Sequence, residues 1–143
     1  MYRARKLQKK YDPAKSKKAL QSGAKACPFC NLEAERKVLD GQHVSVIHNT
    51  FPYQFWEFMH VTDHPMIVPH RHVESLHDLT PAERAEVMDM MADFQAKGYN
   101  VYARESSNVI KSVPHQHTHL IKTKNNHAKF FLFLRRPYFL FRR

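Results

Sequence analysis

The chain of 143 residues reads as an α+β domain, an antiparallel β-sheet with one long helix packed on it. Three observations carry that reading. Short runs of apolar and β-branched residues, set apart by turn residues, recur along the chain as they do in strands. A single segment, Thr80 to Gly98, has helical periodicity with both ends marked. Finally, Pro114-His115-Gln116-His117-Thr118-His119-Leu120 carries a histidine at every second position, the interval at which a strand repeats its side-chain direction. Read as a strand, this row points His115, His117 and His119 onto one face. Imidazole is both a poised acid/base and a metal ligand, so the row reads as a site.

A chain of this length buries about two-thirds of its unfolded surface in one domain without disulfide staples. No apolar run of about twenty residues is present, so no membrane span is expected. The basic N-terminus lacks an apolar h-region, which makes the cytoplasm the expected compartment. The net charge is +10, from 23 Lys and Arg against 13 Asp and Glu. Met1 to Lys25 holds nine of those basic residues and one acid, Asp12, and Arg135, Arg136, Arg142 and Arg143 crowd the C-terminus. Such tails suit a polyanion, nucleic acid or polyphosphate; a solvated basic tail fits the first 25 residues equally well. Residues 1–26 are expected as a basic tail, disordered or loosely helical. Residues 27–143 are expected as the domain, closed by a basic, aromatic C-terminal strand.

Cys27-Pro28-Phe29-Cys30 contains the only two cysteines. In a cytosolic chain this spacing suits a metal knuckle or a redox pair. Both sulfurs reach one tetrahedral zinc at about 2.3 Å, but two ligands do not close a site. The remaining ligands must come from the eleven histidines. Lys37 to Asn49 reads as an antiparallel hairpin turning at Asp40-Gly41. Thr50 to Val61 is aromatic, with Phe51, Tyr53, Phe55, Trp56 and Phe58; it reads as core or buried loop, or as a wall for a nucleobase. Met66-Ile67-Val68 is a short buried strand closed by Pro69, with His64 before it and His70 and His72 after it.

Thr80 caps the helix, Pro81 suits its first position, and Glu83 completes a capping box. Val87, Met91 and Phe94, with Met88 and Ala92, form the apolar stripe, and Gly98 supplies the left-handed stop. Tyr99 to Glu105 returns to strand, Ser106 to Val113 is a loop, and Phe130 to Leu134 reads as a further buried strand.

The block Ser112-Val113-Pro114-His115-Gln116-His117-Thr118-His119-Leu120 resembles the signature of the histidine triad (HIT) family of nucleotide hydrolases and transferases. The order around it is similar too: an N-terminal CxxC, a histidine before a strand ending in Val-Pro, and His72-Val73-Glu74-Ser75-Leu76 leading to the helix. The resemblance spans about Cys27 to Thr123 and implies a HIT-like fold. It implies His117 as the nucleophile that attacks an α-phosphorus to give a covalent nucleotidyl-histidine. His119 would help bind the phosphate, His64 would stand at the same pocket, and the Ser112 hydroxyl would contact phosphate or leaving group. It further implies a structural zinc on Cys27, Cys30, His72 and His115, with His70 the nearest substitute, no organic cofactor, and a homodimer joined through an extended sheet.

The chain departs from the family in three places. Gln116 and Thr118 stand where apolar residues are usual, so that strand face is expected to be wetter or packed differently. The loop Ser106 to Lys111 has no glycine, and Arg104 stands where a substrate-contacting asparagine is common. Lys111 and Arg104 would favour extra negative charge on the substrate. Three functions follow: action on a nucleoside phosphoramidate or dinucleoside polyphosphate, removal of adenylyl groups from nucleic-acid ends, or a zinc-stabilised nucleotide- or RNA-binding module with little turnover.

Overall fold

The computed structural model describes Leu20 and residues 26–127, 131–135 and 138–142. Nearly all of the expected N-terminal tail lies outside the described residues. The strands, in chain order, are β1 (Lys37–Asp40), β2 (Val44–His48), β3 (Phe55–Trp56), β4 (Met59–Asp63), β5 (Pro65–Pro69), β6 (Tyr99–Ala103), β7 (Thr118–His127), β8 (Phe131–Arg135) and β9 (Tyr138–Arg142). An α-helix, α1, spans Pro81–Ala96.

Seven strands form one antiparallel sheet in the order β1-β2-β5-β7-β4-β3, with β6 on the other side of β7. β4 and β5 run along the same side of β7, Asp63 opposite Lys122 and Met66 opposite His119. The single residue between them is His64, which stands at the break in the ladder. β8 and β9 pair with each other in a separate two-stranded sheet. The expected C-terminal strand is thus one arm of a hairpin, and its side-chain burial lies outside what the structure describes.

Strand alternation sorts the core onto two faces. Val44, Val46, Ile67 and Leu120 point to α1, where Val87 and Met90 meet them. Ile47, Met66 and Val68 point the other way and pack with Phe29. Ile121 joins Tyr53 and Trp56 in a third cluster. The helix therefore seals one face and leaves the other for the site.

The helix is stopped as the sequence indicates. Thr80 Oγ1 accepts from the Glu83 amide at 3.2 Å, and Glu83 Oε2 accepts from the Thr80 amide at 2.7 Å. Gly98 takes φ +84° beyond the C-terminus. The stripe differs in detail. Met88 is 60% exposed and Met90 is buried in its place, while Ala92 is also exposed. Position 90 lies seven residues beyond the inward-facing Glu83 and three beyond Val87, on the same face of a 3.6-residue helix.

Two turns depart from the expected detail. In the β1–β2 hairpin Gly41 is required by close approach: a Cβ there would strike the Glu86 carboxylate and come within 2.9 Å of the Val44 carbonyl oxygen. Glu86 reaches over from α1 to accept from the Gln42 and His43 amides at 2.7 and 2.8 Å. The aromatic segment, expected as core or loop, folds into the β3–β4 hairpin. Its turn holds Glu57 and Phe58 at φ 48° and 64°, the left-handed pair of a type I′ turn.

Candidate active site

The histidine row is not one strand. β7 begins only at Thr118, and Pro114 to His117 form a bend and an extended approach to it. Pro114 has no N–H to give a ladder, and the Gln116 amide donates instead to the Val73 carbonyl, 2.6 Å away. Of the three histidines only His119 stands on the strand. The other two are aimed by local bonds.

His117 is 6% exposed. Its Nδ1 donates to the His115 carbonyl oxygen at 2.8 Å, a bond that fixes the tautomer and leaves a lone pair on Nε2. Burial pushes its imidazole down to about 4; the carbonyl opposes that shift, and the charges of Lys111, His115 and Arg104 add to it. The ring is therefore neutral at pH 7, the state a nitrogen nucleophile requires. The Phe29 ring stands edge-on to it, 5.3 Å between centroids.

His64 and His119 form a second buried pair, Nε2 to Nδ1 3.0 Å. The Tyr53 amide donates to His64 Nδ1 at 2.9 Å, so His64 carries its proton on Nε2 and donates it to His119 Nδ1. That leaves His119 with its own proton on Nε2. The His117 and His119 rings lie 5.0 Å apart, edge to face. One imidazole thus offers a lone pair beside another that offers an N–H. Asn49 lies against the His64 ring, its Nδ2 3.2 Å from Nε2 and 3.4 Å from Nδ1.

His117, His119 and Asn49 face a cavity of about 300 Å³ whose wall also includes Ser112, Phe51, Tyr53 and Phe29. His64, expected at the same pocket, does not line this cavity and reaches it only through its bond to His119. The predicted residues Arg104 and Lys111 also line it. Both are buried and tethered. Arg104 donates to the Tyr53 hydroxyl at 2.9 Å and the Tyr102 hydroxyl at 3.1 Å. Lys111 Nζ donates to the Glu74 carbonyl at 2.7 Å and to Gln116 Oε1 at 3.0 Å. Gln116 is 1% exposed, so of the two expectations for this strand face, wetter or packed differently, the second describes it: the polar side chain is dry and hydrogen-bonded. Thr118 is buried as well, on the helix side.

The four proposed metal ligands come together. One donor atom from each of Cys27, Cys30, His72 and His115 lies within 4.8 Å of every other. Cys27 Sγ is 3.5 Å from His115 Nδ1, and Cys30 Sγ is 3.1 Å from His72 Nδ1 and 3.7 Å from His115 Nδ1. A tetrahedral zinc with bonds of about 2.0 to 2.3 Å needs ligand separations of roughly 3.3 to 3.8 Å, so the donor set fits that ion. His115 Nε2 donates to the Pro69 carbonyl at 3.0 Å, which leaves Nδ1 as the ligating atom and supplies the outer support such histidines need. Burial holds His115 down to about 4 and therefore neutral. Desolvation and the neighbouring Cys27 push the Cys30 thiol up to about 11, so without a cation to stabilise its thiolate it stays protonated. His70, the candidate substitute, faces elsewhere: its Nε2 is 2.8 Å from Ser45 Oγ and 3.4 Å from Asp40.

A model of the HIT domain matches residues 33–126. The chain belongs to the HIT family. No curated protein matches it by sequence. Among solved structures it is similar to a HIT family hydrolase from Clostridium thermocellum, at 18% identity and TM-score 0.54 over 73% of this chain and 96% of that one. It is similar to a Zn-bound histidine triad family protein from Mycobacterium smegmatis, at 20% identity and TM-score 0.51 over 70% and 76%. A diadenosine triphosphate hydrolase from Plasmodium falciparum, solved with cyclomarin A, matches at 13% identity and TM-score 0.54 over 67% and 66%. At these identities the structures establish the shared fold.

Within this HIT domain, sequence reasoning missed Asn49 and Phe29. Phe29 touches both His115 and His117 through its ring, and Asn49 reaches His64 across 15 positions. Neither spacing nor residue type signals such contacts. Tyr53 was visible only as part of an aromatic run; its role comes from its backbone amide and from the tyrosine hydroxyl that holds Arg104.

Proposed function

We propose that the chain is a nucleotide hydrolase or nucleotidyl transferase that works through a covalent nucleotidyl-histidine on His117. The observation that carries this reading is the bond from His117 Nδ1 to the His115 carbonyl, which leaves Nε2 bare on the cavity wall. In the first step Nε2 attacks the α-phosphorus of a nucleoside phosphoramidate or dinucleoside polyphosphate. The bond to the leaving group breaks, and its electron pair departs with that group. His119 Nε2–H and the Ser112 hydroxyl hold phosphate oxygens, and His64 positions His119. Water then attacks the same phosphorus and gives up a proton to solvent, balancing the proton the departed leaving group takes up. The P–N bond breaks, and the nucleoside monophosphate leaves as Nε2 recovers its lone pair. Such displacements depend chiefly on positioning and charge stabilisation, which this donor cluster provides without a catalytic metal or organic cofactor.

The reading includes one zinc on Cys27, Cys30, His72 and His115. When bound, the ion would supply structural cross-linking of the knuckle to the segment presenting His117. It also takes residues 27–143 as one functional domain that acts in the cytoplasm as a homodimer, with nucleic acid as a partner for the basic tails. No helix among the described residues is long and apolar enough to cross a membrane.

Mass spectrometry after mixing with adenine and guanine substrates is expected to trap a nucleotidyl adduct on His117. His117→Ala is expected to abolish turnover while leaving the fold intact. Equal turnover by both proteins would remove the covalent mechanism.

A further inference from the structure

The cavity holds more positive charge than one phosphate needs. Arg36, Arg104 and Lys111 line it, and no aspartate or glutamate does so among the described residues. The three cations are held differently. Arg104 is fixed by two tyrosine hydroxyls and Lys111 by two oxygens, as described above. Arg36, half-buried at the end of the 3₁₀ turn Ala34–Arg36, is tied through its side chain only by Nη1 to the Pro28 carbonyl at 3.4 Å, among the described residues. Arg36 thus stands on the wall of a cavity whose described lining offers it no carboxylate. Arginine is well suited to a phosphate because its planar fork can make two parallel charge-assisted bonds.

A monophosphate brings at most about two negative charges. Confined cations repel one another in a low-dielectric cavity, and each further phosphate relieves that repulsion. We infer that Arg36 is a specificity-determining residue that grips a phosphate beyond the one attacked, so that this site prefers a nucleotide joined to an oligophosphate over one joined to an uncharged amine. The inference rests on the nucleotide reading above but selects within it. Two sources share this chemistry, a dinucleoside polyphosphate and an adenylylated 5′-phosphate end of a nucleic acid.

The decisive measurement separates binding from turnover. Calorimetric affinities for AMP, ADP and ATP are taken on the full-length His117→Ala protein, with and without Arg36→Gln and Arg36→Lys. Affinity is expected to climb from AMP to ATP by roughly ten- to hundredfold, the worth of one hydrogen bond to a charged group. Arg36→Gln is expected to erase most of that climb and Arg36→Lys to keep part of it, because charge survives while the fork is lost. ATP binding no tighter than AMP, which needs no substitution at Arg36, would overturn the proposal, as would a climb unchanged by Arg36→Gln. With His117 present, a dinucleoside triphosphate and a 5′-adenylylated oligonucleotide are compared for kcat/KM. A loss on Arg36→Gln with either one supports the assignment and names the source, and a loss with neither sinks it. Failure of the nucleotide-transfer reading looks different: the protein with His117 would turn over neither these substrates nor a phosphoramidate, while the AMP-to-ATP ladder would still report on Arg36.

Discussion

His115 serves two partners at once: its carbonyl oxygen accepts from His117 Nδ1 at 2.8 Å, and its ring turns into the cluster of Cys27, Cys30 and His72. The residue that orients the candidate nucleophile is therefore the residue a bound metal would anchor. Phe29, between the two cysteines, packs its ring edge-on to both histidines, so the knuckle also forms part of the cavity wall. A metal held by the His115 ring would therefore be coupled to His117 orientation through one peptide unit.

That coupling predicts the effect of metal removal. About one zinc per chain is expected by metal analysis, and Cys27→Ser or a strong chelator is expected to remove it. Thermal stability should fall, and kcat should drop about 10- to 100-fold, the range typical when the support of a site is lost. A metal-free protein with full stability and full kcat would show that the His115 backbone is held without the cluster.

A second prediction concerns His64. Its Nδ1 accepts from the buried Tyr53 amide and its Nε2 donates to His119. His64→Ala removes both bonds, leaves the amide without its acceptor at a cost of about 1 to 3 kcal/mol, and removes the bond that turns the His119 ring. His64→Gln can restore an acceptor to the amide. Both variants should lose kcat by at least about tenfold, but His64→Gln should melt nearer the wild type. If His64→Ala retains wild-type kcat, His119 is not positioned by this residue.

The elements were legible wherever local rules decide them. Thr80, Pro81, Glu83 and Gly98 mark the helix because capping is a matter of a few adjacent residues. The β1–β2 hairpin was visible for the same reason. The β3–β4 hairpin was hidden because Glu57-Phe58 is a poor left-handed turn by residue type, yet both residues adopt positive φ there. The histidine row, read as one strand, is not one: only His119 stands on β7. Alternation describes side-chain direction only where a ladder exists, and Pro114 together with the Gln116 amide's bond to Val73 keeps the ladder from starting before Thr118. The metal donors were legible through family resemblance; the spacing of two cysteines alone could not have chosen His72 over His70. That choice is made by Ser45 and Asp40, which draw His70 away.

Gly41 supplies a third prediction, remote from the cavity because α1 lies on the opposite face of the sheet. Gly41→Ala places a methyl group against the Glu86 carboxylate, Met90 and the Val44 carbonyl. Glu86 cannot withdraw freely, because it holds the Gln42 and His43 amides. Overpacking of this kind costs about 1 to 3 kcal/mol. Denaturant unfolding should show that loss, with activity per folded molecule unchanged. A variant as stable as the wild type would mean that the hairpin turn can shift away from the helix.

The acid limb of stability should depend on Glu83. Its carboxylate meets Arg71 at 2.7 Å and accepts from the Thr80 amide, and these partners, Arg71 first, hold it from an ordinary value of 4.5 down to about 2. A carboxyl whose folded value is depressed stabilises the fold above its unfolded value and loses that contribution as pH falls toward its folded value. The contribution is therefore complete above pH 4.5 and disappears between about 4.5 and 2. Arg71 is half-exposed, so solvent screens the pair and the effect is modest. Arg71→Ala removes the main cause of the depression, so Glu83 should titrate nearer its ordinary value. The Tm of Arg71→Ala should lie below that of the wild type at pH 7, and the gap should narrow as pH falls below 4.5. Parallel Tm curves across that range would show that Glu83 is held down by the Thr80 cap alone.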